Sequence, residues 1–148
     1  MIEFTKPTPE DRADYLRMVK EFFATDAVLF HVDDSHFERC FEELLRSDEY
    51  TFCHLFRYDG ETAGYALIAK TYSQEAGGMV WWIEEIYVLP EYRGKGIGSA
   101  YFDYLFSIKP DNVKRMRLEV ERENKGAVAL YKRLGFDFLD YDQMYLEL

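Results

Sequence analysis

The apolar positions change their period several times along the chain, and each change marks an element. Ile2–Lys6 is a short run with strand character. Thr8-Pro9-Glu10-Asp11 reads as a helix start: Thr8 can cap, Pro9 suits the first helical position, and two acids favour the first turn. Tyr15, Met18, Val19, Phe22 and Phe23 then recur at helical spacing, which predicts a first helix to about Thr25. Ala27–Asp34 reads as irregular. Ser35-His36-Phe37-Glu38 has the form of a capping box. Phe37, Cys40, Phe41, Leu44 and Leu45 continue it as a second helix ending near Ser47.

Beyond that point the pattern becomes that of a sheet. Tyr50–Tyr58 is an aromatic strand, Asp59-Gly60 a two-residue hairpin turn, and Thr62–Tyr72 the returning strand. Gln74–Gly78 breaks the chain before a further strand, Met79–Val88. Ile97, Tyr101, Tyr104, Leu105 and Ile108 line one face of a helix that stops at Pro110. Arg115–Glu121 reads as a strand, and Asn124 opens a helix closed by Leu134 and Gly135. Phe136–Leu139 and Gln143–Glu147 complete the pattern as a final pair of strands. No linker, repeat or low-complexity segment interrupts it, so residues 1–148 read as one mixed α/β domain.

Composition narrows the function. A chain of 148 residues with 48% hydrophobic and 31% charged residues has a globular make-up and room for one core. Its apolar runs are too short for a membrane span, and Met1–Lys6 has neither part of a secretory leader. Cys40 and Cys53 make no disulfide framework, so the expected location is the reducing cytoplasm. The net charge of −10 argues against a nucleic-acid partner, which would demand phosphate neutralisation. Yet residues 93–133 hold 10 basic and 5 acidic side chains, a local +5 within an acidic chain. That distribution suits an enzyme holding an anionic ligand and a cationic one on different parts of its surface.

The anionic ligand has an evident seat. Leu89-Pro90-Glu91-Tyr92-Arg93-Gly94-Lys95-Gly96-Ile97-Gly98-Ser99 joins a strand to a helix. Three alternating glycines let backbone approach a ligand, and successive N–H groups at the helix start form a nest for phosphate or pyrophosphate. Arg93 and Lys95 add charge there. The G-x-G-x-G spacing matches neither the dinucleotide fingerprint nor a P-loop.

Arg93-Gly94-Lys95-Gly96-Ile97-Gly98 resembles the acyl-CoA motif of the GNAT superfamily of acetyl-CoA-dependent N-acetyltransferases. The likeness extends upstream through Ile83–Tyr92 and downstream through Leu118-Glu119-Val120, Asn124, Ala127, Leu130-Tyr131 and Leu134-Gly135-Phe136. Within the superfamily, the central block is most similar to the diamine (spermidine/spermine) branch. The resemblance implies a seven-stranded, mostly antiparallel sheet with about four helices, whose parallel fourth and fifth strands splay apart. Acetyl-CoA is the implied co-substrate, with no metal. Its pantetheine arm would pair with Ile86, Tyr87 and Val88, and its pyrophosphate would sit on Arg93, Gly94, Lys95, Gly96, Ile97, Gly98 and Ser99. Asn124 and Ala127 would border the pantetheine, although Asn124 is equally explained as a helix cap.

The chemistry asks for a base, because a free alkylamine is protonated at neutral pH. Glu84 and Glu85 are the candidates. Strict alternation would put Glu84 with Trp82, Ile86 and Val88, and Glu85 with Trp81, Ile83 and Tyr87, on opposite faces. By resemblance Glu84 is the base, leaving Glu85 as an alternative base, an ammonium anchor or a structural group. Tyr131 matches the family's general acid for the departing thiolate, and a strand N–H near Ile86–Val88 would meet the acyl oxygen. No nucleophile constellation points to a covalent intermediate, and Cys40 and Cys53 read as packing residues. His31-Val32-Asp33-Asp34-Ser35-His36 fits no standard metal site. Asp33 and Asp34 could instead attract a cationic amine, with Tyr72, Trp81, Trp82 and Tyr87 adding cation–π contacts. The expected activity is acetyl transfer to a small cationic primary amine in a ternary complex. A protein acetyltransferase and a non-catalytic CoA sensor are the alternatives, and a homodimer and a longer acyl donor are both allowed.

Overall fold

The computed structural model describes residues 1–26 and 28–148, so Ala27 in the expected irregular stretch lies outside the described residues. The chain runs through β1 (Ile2–Thr5), α1 (Arg12–Phe23), α2 (Asp34–Arg46), β2 (Thr51–Tyr58), β3 (Glu61–Ser73), β4 (Gly78–Val88), α3 (Ile97–Ile108), β5 (Val113–Leu118) and α4 (Lys125–Arg133). The sheet has the order β1-β2-β3-β4-β5. Its first three pairings are antiparallel and β4–β5 is parallel. A parallel neighbour needs a crossover, and α3 supplies it. Asp59 (φ 50°) and Gly60 (φ 85°) both occupy the left-handed region that a two-residue β2–β3 hairpin requires. No helix among the described residues is long and apolar enough to cross a membrane.

Each face of the sheet carries its own apolar layer. On one face Ile97, Tyr101, Phe102 and Leu105 of α3 pack on Phe52, Phe56, Ala66, Ile68, Trp81 and Ile83. On the other, Tyr15, Met18 and Val19 of α1 and Phe37 and Phe41 of α2 cover Cys53, Leu55, Tyr65, Leu67 and Tyr87. Each such side chain contributes about 1.5–3 kcal/mol of burial, which clamps the sheet from both sides.

Three expectations change. The second helix is capped by Asp33, whose carboxylate accepts from Ser35 N–H at 2.9 Å, rather than by Ser35. A carboxylate at the positive helix end is the stronger acceptor. The described residues hold five strands instead of seven, and residues 136–148 are irregular. Asp137, Asp140 and Asp142 disfavour strand there. The Asp137 carboxylate also turns back to accept from Phe138 N–H at 2.9 Å and from Lys132 at 2.8 Å.

The third change concerns the carboxylates directly. Leu67 pairs with Glu85 and the next residue, Ile68, with Ile83, so Glu84 is an extra residue bulged out of β4. The bulge resets the alternation. Trp81 and Ile83 face α3, and beyond the bulge so do Ile86 and Val88, whereas Tyr87 joins the α1–α2 face. Of the face partners that uniform alternation assigns to it, Glu85 therefore keeps Tyr87 but is separated from Trp81 and Ile83, and Glu84 sits in the bulge between the two registers.

Candidate active site

The parallel pairing ends at Ile83–Leu118. β4 nevertheless continues to Val88, paired on one side with β3 through Ala66–Ile86, Tyr65–Tyr87 and Gly64–Val88. The opposite edge of Glu84–Val88 has no strand partner among the described residues. That is the splay: a length of β4 whose outer edge no strand pairs among the described residues, bounded at its mouth by Glu84 and, directly after β5, Glu119. One step back on the two strands, the Arg117 guanidinium lies 4.1 Å from the Trp82 ring centre. Gly64 makes the β3 side close, since a Cβ there would lie 2.2 Å from the Tyr87 carbonyl oxygen.

The two glutamates differ in environment. Glu84 is exposed by residue, yet partial desolvation holds its carboxyl above the usual range, and Glu119 adds to this. Glu85 is half-buried and accepts from Tyr65 Oη at 2.7 Å. Burial raises its pKa to about 7; the Tyr65 hydrogen bond acts in the opposite direction and the Glu84 charge in the same one. A carboxyl near neutrality in a forked strand is a group whose proton is in play at physiological pH.

Beyond β4, Leu89 is buried and Pro90–Tyr92 makes one tight turn. Arg93 Nε donates to the Val88 carbonyl at 2.9 Å, and its guanidinium lies 5.6 Å from the Tyr87 ring, so Arg93 ties the turn to the strand end. Gly94 (φ 75°) and Gly96 (φ 76°) are left-handed, and Gly96 is the residue from which α3 starts, without a side-chain cap. Lys95 lies over Tyr58 at 5.3 Å. Ile97 is buried in the core and fixes the helix start in place. Gly98 is telling in a different way. Its φ is not left-handed and a Cβ would meet nothing within 4 Å. Folding alone does not require glycine there, whereas close approach of a ligand to the helix start does. The uncapped N–H groups of 94–99 thus fit a pyrophosphate.

At α4, Asn124 Oδ1 accepts from Ala127 N–H at 3.3 Å, the capping role. Tyr131 packs edge-on against Phe102 and Phe136, each 5.9 Å away, and burial raises its pKa. Its hydroxyl has no protein partner among the described residues. Tyr131 also lines a cleft of about 1150 Å³ between β5, α4 and the C-terminal segment, to which Trp82, Leu118 and Glu119 contribute. Neither the glutamate pair nor the glycine turn borders that cleft.

On the α1–α2 side, the acids expected to draw an amine are engaged elsewhere: Asp33 caps α2 and Asp34 pairs with Lys20 at 3.4 Å. Trp81 is in the core, Trp82 lies against Arg117, and Tyr72 is exposed beyond the site. Tyr87 alone of the four expected aromatics joins the α1–α2 layer, where its hydroxyl donates to Glu21 Oε2 at 3.3 Å. Tyr65, Glu21 and Gly64 escape the sequence reading, and Glu119 enters it only within the Leu118-Glu119-Val120 match, with no role. Strand register brings Tyr65, Gly64 and Glu119 to the fork, and the packing of α1 brings Glu21 to Tyr87.

The geometry is that of a mixed α/β sheet whose parallel β4–β5 pair forks beyond Ile83 and Leu118, with a glycine-rich helix start following β4. The chain matches the acetyltransferase (GNAT) family over residues 16–136. It is 34% identical over 139 residues to the thialysine N-epsilon-acetyltransferase of Mus musculus, covering 84% of this chain and 78% of that protein. It is 26% identical over 95 residues to the spermine/spermidine N(1)-acetyltransferase of Bacillus subtilis strain 168, covering 58% and 62%. A possible acetyltransferase from Clostridium difficile 630 superposes with a TM-score of 0.81 at 26% identity, over 100% of this chain and 98% of the other. The chain belongs to the acetyltransferase (GNAT) family and is an acetyl-CoA-dependent N-acetyltransferase.

Proposed function

We propose that this enzyme acetylates the primary amine of a small cationic acceptor by direct attack within a ternary complex. The observation that carries the reading is the bulge at Glu84, which puts two desolvated carboxylates where the unpaired edge of β4 begins. The names of the thialysine and spermine/spermidine relatives favour a cationic acceptor over a protein one.

In this mechanism the N–H groups of Gly94–Ser99 hold the pyrophosphate, with Lys95 adding charge. The acyl arm follows the free edge of Ile86–Val88, and Asn124 and Ala127 border it from α4. Glu84, exposed at the mouth, takes a proton from the incoming ammonium, and a carboxyl held above its ordinary range is the better base. The neutral nitrogen attacks the thioester carbon, the new C–N bond forms and the C–S bond breaks. A strand N–H meets the acyl oxygen as charge develops. The sulfur leaves as thiolate and receives a proton or a hydrogen bond from Tyr131, whose hydroxyl is otherwise unpartnered. Glu85 supplies a second negative charge for the acceptor.

A thiol-release assay over polyamines, thialysine, aminoglycosides, amino acids and peptides tests this. Turnover confined to small cationic amines is the expected result. Turnover of peptides alone would make the chain a protein acetyltransferase. Acetyl-CoA binding with no turnover across the panel would make it a sensor.

A further inference from the structure

Tyr65 stands opposite Tyr87 in the β3–β4 register and is fully buried. A buried hydroxyl needs a partner, and this one donates to Glu85 Oε1 at 2.7 Å. Its ring is locked by Tyr15, 5.8 Å away, and Tyr15 in turn donates to Cys40 Sγ at 3.5 Å. Glu85, by contrast, is incompletely paired. No Lys, Arg or His contacts it among the described residues, and none of them donates to Oε2. Oε2 takes no protein donor and is not among the sealed, unpartnered polar atoms of the described residues, so a half-buried carboxylate holds one oxygen fixed and keeps the other open to an incoming cation.

We propose that Tyr65 is a positioning residue of the acceptor site: by holding Glu85 Oε1 it leaves Oε2 to receive the acceptor's ammonium. This rests on the amine-acetylating reading above and assigns Glu85 to binding, with Glu84 as base. The titratable groups that act on Glu85, or on which it acts, are Tyr65 of β3, Glu84 of β4, Tyr15 of α1, Cys40 of α2 and Cys53 of β2. Burial pushes those phenols and thiols upward, away from neutrality. Glu85 itself ionises at about 7, so acceptor binding strengthens as pH rises through that value. Removing the Tyr65 donor destabilises the ionised carboxylate and moves its midpoint up.

The test measures the Glu85 side-chain ¹³C titration and the KM for spermine and thialysine from pH 6 to 9. It compares the wild type, Tyr65→Phe, Glu85→Gln and the double variant. In wild type, KM falls through the Glu85 midpoint. In Tyr65→Phe, the ¹³C midpoint and the KM transition both move up by about one pH unit. KM at pH 9 then returns to the wild-type value, and kcat changes less than twofold. On the Glu85→Gln background, Tyr65→Phe changes nothing further. A KM raised equally at every pH with an unmoved ¹³C midpoint, or additive effects in the double variant, overturns the proposal. So does a wild-type KM that ignores pH across this range, which needs no Tyr65 variant. If wild type acetylates neither amine, the reading of the reaction fails, while an unmoved midpoint in Tyr65→Phe still overturns the Tyr65–Glu85 coupling on its own.

Discussion

Ile83 and Leu118 are the last residues that β4 and β5 pair, and the residue that follows each of them is a glutamate. Two carboxylates at the first unpaired position repel one another, so Glu84 and Glu119 help to keep the strands apart where their pairing stops. The same repulsion raises the Glu84 carboxyl beyond what desolvation alone does.

Replacing Glu84 with Gln removes the proposed proton acceptor and leaves the backbone bulge. We expect kcat/KM to fall by about 10²- to 10⁴-fold, with the residual rate growing toward high pH, where more amine is already neutral. Initial rates from pH 6 to 10 check this. An unchanged pH–rate profile would transfer the base role to Glu85.

Tyr131→Phe deletes a hydroxyl with no protein partner and keeps the ring against Phe102 and Phe136. Stability and acetyl-CoA affinity should therefore stay near wild type while kcat drops. Calorimetric titration of acetyl-CoA beside saturation kinetics separates the two quantities. A kcat equal to wild type would reduce Tyr131 to a packing residue.

Glu85 carries a pH dependence of stability whose sign is fixed. Its pKa is about 7 folded, against an ordinary 4.5, so the folded state holds the proton more tightly than the unfolded chain. The contribution is fully present below about pH 4.5 and is lost as pH rises through 7. Glu85→Gln, which keeps an acceptor for Tyr65, should be more stable than wild type at pH 8, by about 2–3 kcal/mol at most. The difference should shrink toward pH 4.5. Urea unfolding at the two pH values decides it, and a wild type as stable as the variant at pH 8 would contradict a buried, uncompensated carboxylate.

What the sequence made legible is local. The Asp59-Gly60 hairpin, the periods of the four helices and the glycine turn depend on residues adjacent in the chain, and each stands where it was expected. The bulge at Glu84 was invisible because it is a property of register against β3, and a one-residue slip reassigns every later side chain. The Tyr65–Glu85 hydrogen bond follows from that register, and the Glu84–Glu119 juxtaposition from the parallel register of β4 on β5. Asp33 and Asp34 looked free because their partners, a helix N-terminus and Lys20, come only with the fold. Phe136–Leu139 and Gln143–Glu147 have the apolar content of strands, but a strand needs a paired edge, and neither segment has one here.

Gly64 tests how tightly the β4 backbone is held. A Cβ at this position would lie 2.2 Å from the Tyr87 carbonyl oxygen and 3.0 Å from Val88 Cα, so backbone must move. Gly64→Ala should cost roughly 2–4 kcal/mol. It should also weaken acetyl-CoA binding, because the displaced strand is the one along which the acyl arm is proposed to run. Thermal unfolding and a binding isotherm on the same sample measure both effects. A variant with wild-type stability would mean that β3 and β4 can separate without penalty.

Gly98 separates binding from folding most cleanly. Gly94 and Gly96 need glycine for their left-handed backbone, so substitutions there confound strain with loss of ligand contact. Gly98 sits in the first turn of α3 in front of open space. Alanine is the better helix former by up to about 1 kcal/mol, so Gly98→Ala should unfold at the same or a higher temperature. The added methyl nevertheless stands beside the N–H groups assigned to the pyrophosphate. Acetyl-CoA should bind at least about tenfold more weakly, a loss of about 1.4 kcal/mol. A variant that is as stable as wild type and binds acetyl-CoA equally well would show that the ligand does not approach this helix start, and the pyrophosphate seat would have to be sought elsewhere on the sheet.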